Sequence, residues 1–368
     1  MKYYIIAGER SGDLHGAKLI KSIKKHDPKA EIRAWGGDMM QDAGAELVKH
    51  YRELAFMGIW EVLKNLFSIQ KLLKYCKTDI QNFQPDAVIL IDYAGFNMRI
   101  AQFAKNIGFY TFYYISPKVW AWNTKRALKI KQFVDKMFVI LPFEKDFFKQ
   151  FDYEVEYVGN PLIDDIEAFK PNLNFKTENQ FGSKPLIALL PGSRKQEVEE
   201  ILPTMVSVVP LFPDYQFVIA GVSNLPKAIY QDFDLPLVID DAYNLLQNSE
   251  AALVTSGTAT LETALLHIPQ VVCYKTSWLT AFVGMKLLLK VPFISLVNLV
   301  AGKEVVKELI QDKCSTKIVS EELKKILLNS PEREMQLKDY QRITILMGDL
   351  GASERVGERI VFVVNSYQ

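Results

Sequence analysis

Residues 251–262 read Ala-Ala-Leu-Val-Thr-Ser-Gly-Thr-Ala-Thr-Leu-Glu. The apolar start predicts a strand, which a tight turn joins to a helix. Because the first turn of a helix offers unpaired N–H groups and a dipole that favours anions, this pattern is typical of a phosphate site. Gly257 lets a phosphate approach the backbone. Ser256 and Thr258 can cap the helix or donate hydrogen bonds from their hydroxyl groups. The carboxylate of Glu262 can accept hydrogen bonds from a ribose. A capped helix with a solvated glutamate explains the same residues. The choice between this interpretation and a phosphate site therefore depends on the neighbouring segments.

A second strand, turn and helix lie earlier in the same half of the chain. Leu189-Leu190-Pro191-Gly192-Ser193-Arg194 leads into a helix predicted to begin at Glu197. Arginine beside a helix N-terminus suits a diphosphate, because positive charge and N–H donors converge there. The two turns are therefore predicted to lie at the same edge of one sheet.

Apolar strand-like runs alternate with amphipathic helical runs along most of the chain. The strands are predicted at Tyr3–Ala7, Ala87–Ile91, Tyr110–Tyr114, Lys136–Ile140, Glu156–Val158, Leu186–Leu190, Gln216–Ala220, Leu237–Ile239, Ala251–Thr255 and Gln270–Tyr274. This alternation predicts an α/β protein with two doubly wound Rossmann-like domains facing a central cleft. We place the domains at 1–170 and 171–345, and expect the last helix, within 346–368, to return to the N-terminal domain. The tail is predicted to carry only helices, at 303–311, 320–328, 332–347 and 353–364.

Length and composition exclude several classes of protein. With 368 residues, 49% of them hydrophobic, the chain can build two cores, and its net charge of +1 gives no general attraction to nucleic acid. Three widely spaced cysteines exclude a disulfide framework and a CxxC metal site, which fits a reducing cytosol. The apolar segment at the N-terminus is shorter than that of a signal peptide. No uninterrupted apolar run reaches the ~20 residues that a membrane span requires.

Candidate chemistry follows two strands of the first domain. Gly8 to Gly16 is glycine-rich but is neither GxGxxG nor a P-loop, and a helix is predicted from Ala17. Asp92 directly follows a buried strand, where a general base is favoured, although a helix cap explains it too.

Aromatic residues and bases are interleaved between 113 and 126. Trp120 and Trp122 can stack on a sugar face, and Lys118 and its neighbouring cations can bind a phosphate. Packing of the tryptophans in the core is the alternative.

The helix predicted over 56–69 is apolar around much of its circumference. Its surplus apolar residues suit a lipid or partner surface rather than one core; they are Trp60, Leu63, Leu66 and Phe67. A helix buried on all sides is the alternative. Near the end of the second domain, Asn298 and Glu304 precede a predicted helix. Their side chains can form hydrogen bonds with a nucleotide base or a sugar, or can cap that helix.

Taken in order, these segments resemble the lipid-A-disaccharide synthases, which are glycosyltransferases of the glycosyltransferase-B fold. The resemblance runs nearly end to end and is carried by residues 8–13, 57–63, 116–122, 141–144, 157–161, 190–194, 256–262 and 298–304. It implies transfer of 2,3-diacylglucosamine from UDP-2,3-diacylglucosamine to 2,3-diacylglucosamine 1-phosphate, an acylated glucosamine 1-phosphate, with inversion and without a metal or other cofactor. It also implies a cytoplasmic enzyme, peripheral on the inner membrane, and a homodimer that exchanges C-terminal elements.

The resemblance makes Asp92 the expected base and assigns Arg194 and Asn298 to the nucleotide-sugar side. Together with the two glycine turns described above, the expected nucleotide-sugar side comprises Ser193, Arg194, Ser256, Gly257, Thr258, Glu262 and Asn298. The acceptor side comprises Ser11, Gly12, Lys118 and Trp120, and the membrane-facing residues are Trp60, Leu63, Leu66 and Phe67. Many relatives carry an aspartate where this chain has Gly95, so Asp92 is expected to act alone in its loop. A UDP-sugar 2-epimerase-like enzyme and a catalytically silent nucleotide-sugar-binding subunit remain the alternatives.

Overall fold

The computed structural model describes residues 1–53, 66–121, 123–276, 291–327 and 330–367. It divides the chain into two compact units. The first unit comprises Met1–Pro161 and Gly348–Gln368, and the second comprises Leu162–Met347. Each unit contains a parallel sheet covered by helices, which confirms the predicted α/β class with two doubly wound units.

Among the described residues, the sheet of the first unit has seven strands in the order β3-β2-β1-β4-β5-β6-β7. The strands are β1 Lys2–Ala7, β2 Glu31–Gly36, β3 Glu46–His50, β4 Ala87–Ile91, β5 Tyr110–Tyr114, β6 Lys136–Val139 and β7 Glu156–Tyr157. The chain order reverses between β1 and β4, which pair with Ala7 opposite Ile91. Ligands of open α/β sheets bind beyond the carboxyl ends of the strands at such a reversal.

The sheet of the second unit has six strands within the described residues, in the order β10-β9-β8-β11-β12-β13. They are β8 Leu186–Leu190, β9 Gln216–Gly221, β10 Leu237–Ile239, β11 Ser249–Thr255, β12 Gln270–Tyr274 and β13 Lys307–Ile310. The order reverses between β8 and β11, so this sheet also has a topological switch point.

Sixteen α-helices are present in the described parts of the chain. They are α1 Arg10–His26, α2 Asp38–Asp42, α3 Leu66–Phe83, α4 Ala94–Asn106, α5 Arg126–Phe133, α6 Pro142–Lys149, α7 Pro161–Ala168, α8 Phe175–Glu178, α9 Lys195–Val206, α10 Ala228–Gln231, α11 Ala242–Gln247, α12 Thr258–Leu265, α13 Leu296–Ala301, α14 Thr316–Lys325, α15 Pro331–Leu346 and α16 Ala352–Tyr367. None of the helices searched there is long and apolar enough to cross a bilayer.

The last helix belongs to the first unit, as expected. Its apolar face joins α1 and one face of the first sheet in a common buried cluster. The two helices approach closely at Gly357, where an added Cβ would lie 2.2 Å from Ser22 Oγ. The Ser22 hydroxyl donates to the Glu354 carbonyl at 2.9 Å, which ties the helices together.

Two sequence predictions about the elements were wrong, and two strands were not predicted. The stretch 303–311 contains the edge strand β13 instead of a helix, because Gly302 adopts φ +67 and ends α13, and Leu309 then enters the core. Helix α1 begins at Arg10 instead of Ala17. Strands β2 and β3 were missed because β2 includes two charged residues and β3 has no fully buried residue.

Candidate active site

The two glycine turns of the second unit lie side by side. Strands β8 and β11 pair in parallel with Val254 opposite Leu190, so both turns leave the same edge of the sheet. Gly192 adopts φ +112, and a Cβ added there would lie 3.2 Å from Cγ2 of Thr255. The prediction that both turns share one edge of one sheet is therefore confirmed.

The Ser256–Thr258 turn presents open backbone. Gly257 is the N-cap of α12, and no described atom lies within 4 Å of a Cβ added to it. Thr258 is exposed at the first helical position, where an N–H has no helical carbonyl to bind. Ser256 is half-buried, and its hydroxyl donates to the Ile294 carbonyl at 2.8 Å, so it fixes the turn instead of capping the helix. The turn can therefore admit an anion to within hydrogen-bonding distance of its backbone.

Glu262 lies about one turn into α12 and is largely buried. The hydroxyl of Tyr243 donates to its Oε1 at 3.2 Å. Burial raises the pKa of Glu262, the hydrogen bond from Tyr243 lowers it, and the negative charge of Asp165 raises it further. The carboxyl group is thus held by a phenol within its own unit.

Arg194 precedes α9 and is largely exposed, with 78% of its side chain accessible. Its Nη1 lies 3.3 Å from Oε1 of Glu197, one turn further along. An exposed pair of this kind contributes little to stability, so the guanidinium can turn towards an incoming anion at small cost. Ser193 is exposed beside it.

Asn298 lies inside α13 and is fully buried. Its Nδ2 donates to the Val306 carbonyl and to Oε1 of Glu308, each at 2.9 Å. Its Oδ1 accepts from the N–H groups of Val305 at 2.7 Å and Val306 at 2.9 Å. These four bonds use the whole capacity of an amide side chain. In this arrangement, Asn298 therefore shapes the loop that precedes β13 and has no polar atom left for a ligand.

Sequence reasoning missed Glu308, because a helix was predicted at its position. Its two carboxylate oxygens accept from the N–H groups of Ile294 and Ser295, each at 2.9 Å, and from the Ser295 hydroxyl at 2.7 Å. Since Ile294 also accepts from Ser256, Glu308 fixes the segment that supports the glycine turn. Only the pairing of β13 with β12 puts Glu308 there.

Asp92 lies at the carboxyl end of β4, beside the reversal of the first sheet. It is half-buried and adopts a left-handed backbone conformation with φ 43. Burial raises the pKa of its carboxyl group, and the negative charge of Glu9 raises it further. The positive charge of Lys118 and the N–H of Tyr93 lower the pKa and offset part of this rise. A carboxyl with a raised pKa is a better proton acceptor, which suits a general base.

The start of α1 lies next to Asp92, because β1 and β4 are neighbours. A Cβ added to Gly8 would lie 2.3 Å from the ring of Tyr93, so these two segments are in contact. Gly12 packs against Ala7, where an added Cβ would lie 3.1 Å from the Ala7 Cβ, and Ser11 is exposed in the first turn. The glycine-rich segment is thus a helix start that packs against its own strand, not a loop.

Lys118 and Trp120 have different environments. Lys118 is exposed and its charge acts on Asp92. Trp120 is buried, and its indole N–H donates to Oε1 of Glu144 at 3.2 Å. Glu144 also accepts from the Ser116 hydroxyl and from the Leu141 N–H at 3.0 Å. The indole therefore offers no open face to a sugar, and it supports the loop that carries Lys118.

The predicted membrane-facing residues fall largely outside the described part of the chain. Trp60 and Leu63 lie outside the described residues, as does Trp122. Leu66 and Phe67 begin α3, and only their backbone is described. Their role therefore stays a prediction.

Comparison with known proteins gives a consistent result. The family model described as lipid-A-disaccharide synthetase matches residues 3–356. The lipid-A-disaccharide synthase of Syntrophus aciditrophicus is 38% identical over 365 residues, which cover 95% of this chain and 94% of that protein. A UDP-GlcNAc 2-epimerase from Neisseria meningitidis bound to UDP-GlcNAc superimposes with a TM-score of 0.66 at 14% identity, covering 98% of this chain and all of that one. The glycotransferase of kitacinnamycin gives 0.65 at 10% identity and covers 99% of each chain. At these low identities, the two structures show the fold alone.

Proposed function

The chain belongs to the lipid-A-disaccharide synthetase family, and from this premise we propose that it transfers 2,3-diacylglucosamine from UDP-2,3-diacylglucosamine to 2,3-diacylglucosamine 1-phosphate. The products are a β-1,6-linked disaccharide 1-phosphate and UDP. The observation that carries the proposal is the match to this family over nearly the whole chain, with Asp92 placed at the switch point of the first sheet.

The second unit is proposed to bind the nucleotide sugar. The N–H groups of Gly257 and Thr258 and the guanidinium of Arg194 can bind the diphosphate and stabilise the charge that develops as UDP leaves. Glu262 is proposed to accept bonds from the ribose. Ser193 serves the same side, while Ser256 and Asn298 are proposed to support it by fixing the surrounding loops.

The first unit is proposed to supply the base. The acceptor 6-hydroxyl attacks the anomeric carbon from the face opposite UDP and gives its proton to Asp92, which inverts the configuration at that carbon. Lys118, Ser11 and the start of α1 at Gly12 are proposed to serve the acceptor phosphate. Trp120 supports this side from within the core.

Both substrates carry acyl chains, so we propose that the enzyme works at the cytoplasmic face of the inner membrane. The apolar residues Trp60, Leu63, Leu66 and Phe67 are proposed to meet that surface. A homodimer remains part of the proposal.

A product assay tests the reaction. The two acylated substrates are presented in detergent micelles, with and without a chelator, and the disaccharide 1-phosphate is detected by mass spectrometry. We expect product in both conditions, and the Asp92→Asn variant should bind UDP normally and form almost no product. Conversion of the donor to its 2-epimer without disaccharide would instead indicate an epimerase, and UDP-sugar binding without any product would indicate a silent subunit.

A further inference from the structure

Asp92 and Tyr93 adopt consecutive left-handed conformations between β4 and α4, with φ 43 and φ 50. Residues with a Cβ disfavour this region, which glycine usually occupies. Position 92 cannot use glycine if it has to carry a carboxylate. The unfavourable backbone must therefore be held by its surroundings.

Two buried side chains bind this part of the backbone. Asn97, in the first turn of α4, donates from Nδ2 to the Asp92 carbonyl at 2.8 Å and to the Ile91 carbonyl at 3.1 Å. The hydroxyl of Tyr113, on the neighbouring strand β5, also donates to the Asp92 carbonyl. Both Asn97 and Tyr113 are fully buried. One carbonyl oxygen thus receives two side-chain donors from two different elements.

The residue after Asp92 is fixed as well. The ring of Tyr93 covers Gly8, where an added Cβ would lie only 2.3 Å away, and lies 5.7 Å from the ring of Phe96. The Tyr93 carbonyl accepts the Asn97 N–H at 3.1 Å. Neighbouring elements therefore contact both left-handed residues: Asp92 through hydrogen bonds to its carbonyl, and Tyr93 through the packing of its ring.

We propose that Asn97 and Tyr113 are positioning residues for the glycosyl transfer, which act by clamping the Asp92 backbone so that its carboxylate points at the acceptor hydroxyl. This rests on the proposed function, in which Asp92 is the base. A small displacement of a catalytic group lowers turnover strongly, whereas binding of UDP by the other unit does not depend on the clamp.

Tyr113→Phe tests the clamp, with Tyr114→Phe as a matched control. Both are buried tyrosines of β5 on opposite faces of the sheet, and the Tyr114 hydroxyl lies 3.2 Å from Ser353 Oγ, away from Asp92. Each substitution removes one hydroxyl. We expect Tyr113→Phe to lower kcat about 3- to 10-fold relative to Tyr114→Phe, with similar thermal stability and UDP affinity in both.

The pH dependence of kcat adds a readout that a purely structural role would not change. The charged and polar groups that act on Asp92 are Glu9, Lys118 and the N–H of Tyr93. Burial is the largest cause of its raised pKa, so a loosened, better solvated carboxyl should move the acid limb of the profile of Tyr113→Phe to lower pH. Equal kcat values and equal pH profiles in the two phenylalanine variants would overturn the proposal.

Asn97→Leu provides a second variant of similar size. Because it removes two donors, we expect a loss of kcat on the order of 100-fold at unchanged UDP affinity. Full turnover in Asn97→Leu would also overturn the clamp. Asp92→Asn distinguishes a failure of the base assignment from a failure of the clamp: if this variant keeps full turnover, the base assignment fails. If it is inactive while Tyr113→Phe matches Tyr114→Phe, only the clamp fails.

Discussion

Substitution of Gly257 by alanine should separate ligand binding from folding. The backbone there is extended, with φ 162 and ψ −162, and no described atom lies within 4 Å of an added Cβ. We therefore expect the free energy of unfolding to change by less than about 1 kcal/mol. The added methyl group instead occupies the open side by which a diphosphate would reach the N–H groups of 257 and 258. Losing one charge-assisted bond of about 1.5–3 kcal/mol weakens binding of UDP about 10- to 100-fold.

Two further glycines provide the comparison. At Gly192, φ is +112 and an added Cβ would lie 2.6 Å from Oε2 of Glu197 and 3.2 Å from Cγ2 of Thr255. Gly192→Ala should therefore lower the free energy of unfolding by about 2–4 kcal/mol, through backbone strain and steric overlap. At Gly182, which precedes the start of β8, the nearest described atom to an added Cβ is 4.0 Å away. Gly182→Ala should change neither stability nor binding.

Urea unfolding and calorimetric titration with UDP measure the two quantities for all three variants. The expected pattern is lost affinity with retained stability at 257, lost stability at 192 and no effect at 182. If Gly257→Ala binds UDP as tightly as the original chain, the Ser256–Thr258 turn is not the diphosphate site. If Gly257→Ala loses as much stability as Gly192→Ala, the space beside Gly257 is not open.

Three other predictions concern pH, helix packing and the buried amide. The base must be deprotonated, so activity falls as pH drops through the pKa of Asp92. Glu9→Gln removes a negative charge that raises this pKa, and should move the acid limb of the kcat profile to lower pH. Lys118→Met removes a positive charge that lowers the pKa, and should move the acid limb to higher pH. Shifts in the same direction would contradict this account. Gly357→Ala should lower the free energy of unfolding by about 2–3 kcal/mol in urea titrations, because its Cβ overlaps α1; an unchanged midpoint would show that α1 and α16 pack less closely. Asn298→Ala leaves several buried groups unpaired and should cost about 2–3 kcal/mol of stability, measured in the same way. A loss of UDP affinity at full stability would instead indicate direct contact with the nucleotide.

Local pattern determined much of the fold. Strands Ala87–Ile91, Tyr110–Tyr114, Leu186–Leu190 and Gln270–Tyr274 were predicted to the residue, because buried parallel strands are continuous apolar runs that end at turn residues. The position of Asp92 after such a run also followed from the sequence alone.

Other features depended on residues far apart in the chain. Strand β13 was predicted as a helix because its edge position, next to β12, is defined only by that pairing. Asn298 and Trp120 were predicted to contact ligands, but both side chains are buried and hydrogen-bonded within the protein, for a related reason. A polar or aromatic side chain that suits a ligand suits a buried hydrogen bond equally well, and only the packed core supplies the partners.

The sequence by itself determined where the buried strands β4, β5, β8 and β12 begin and end, and which residues follow them, because strand, turn and helix preferences act between near neighbours. Tertiary structure alone decided that two buried side chains, from β5 and α4, hold the backbone of Asp92 in a left-handed conformation. A backbone conformation that is unfavourable for its own residue cannot be read from that residue. It persists because hydrogen bonds from two other elements, the following helix α4 and the neighbouring strand β5, offset its local cost.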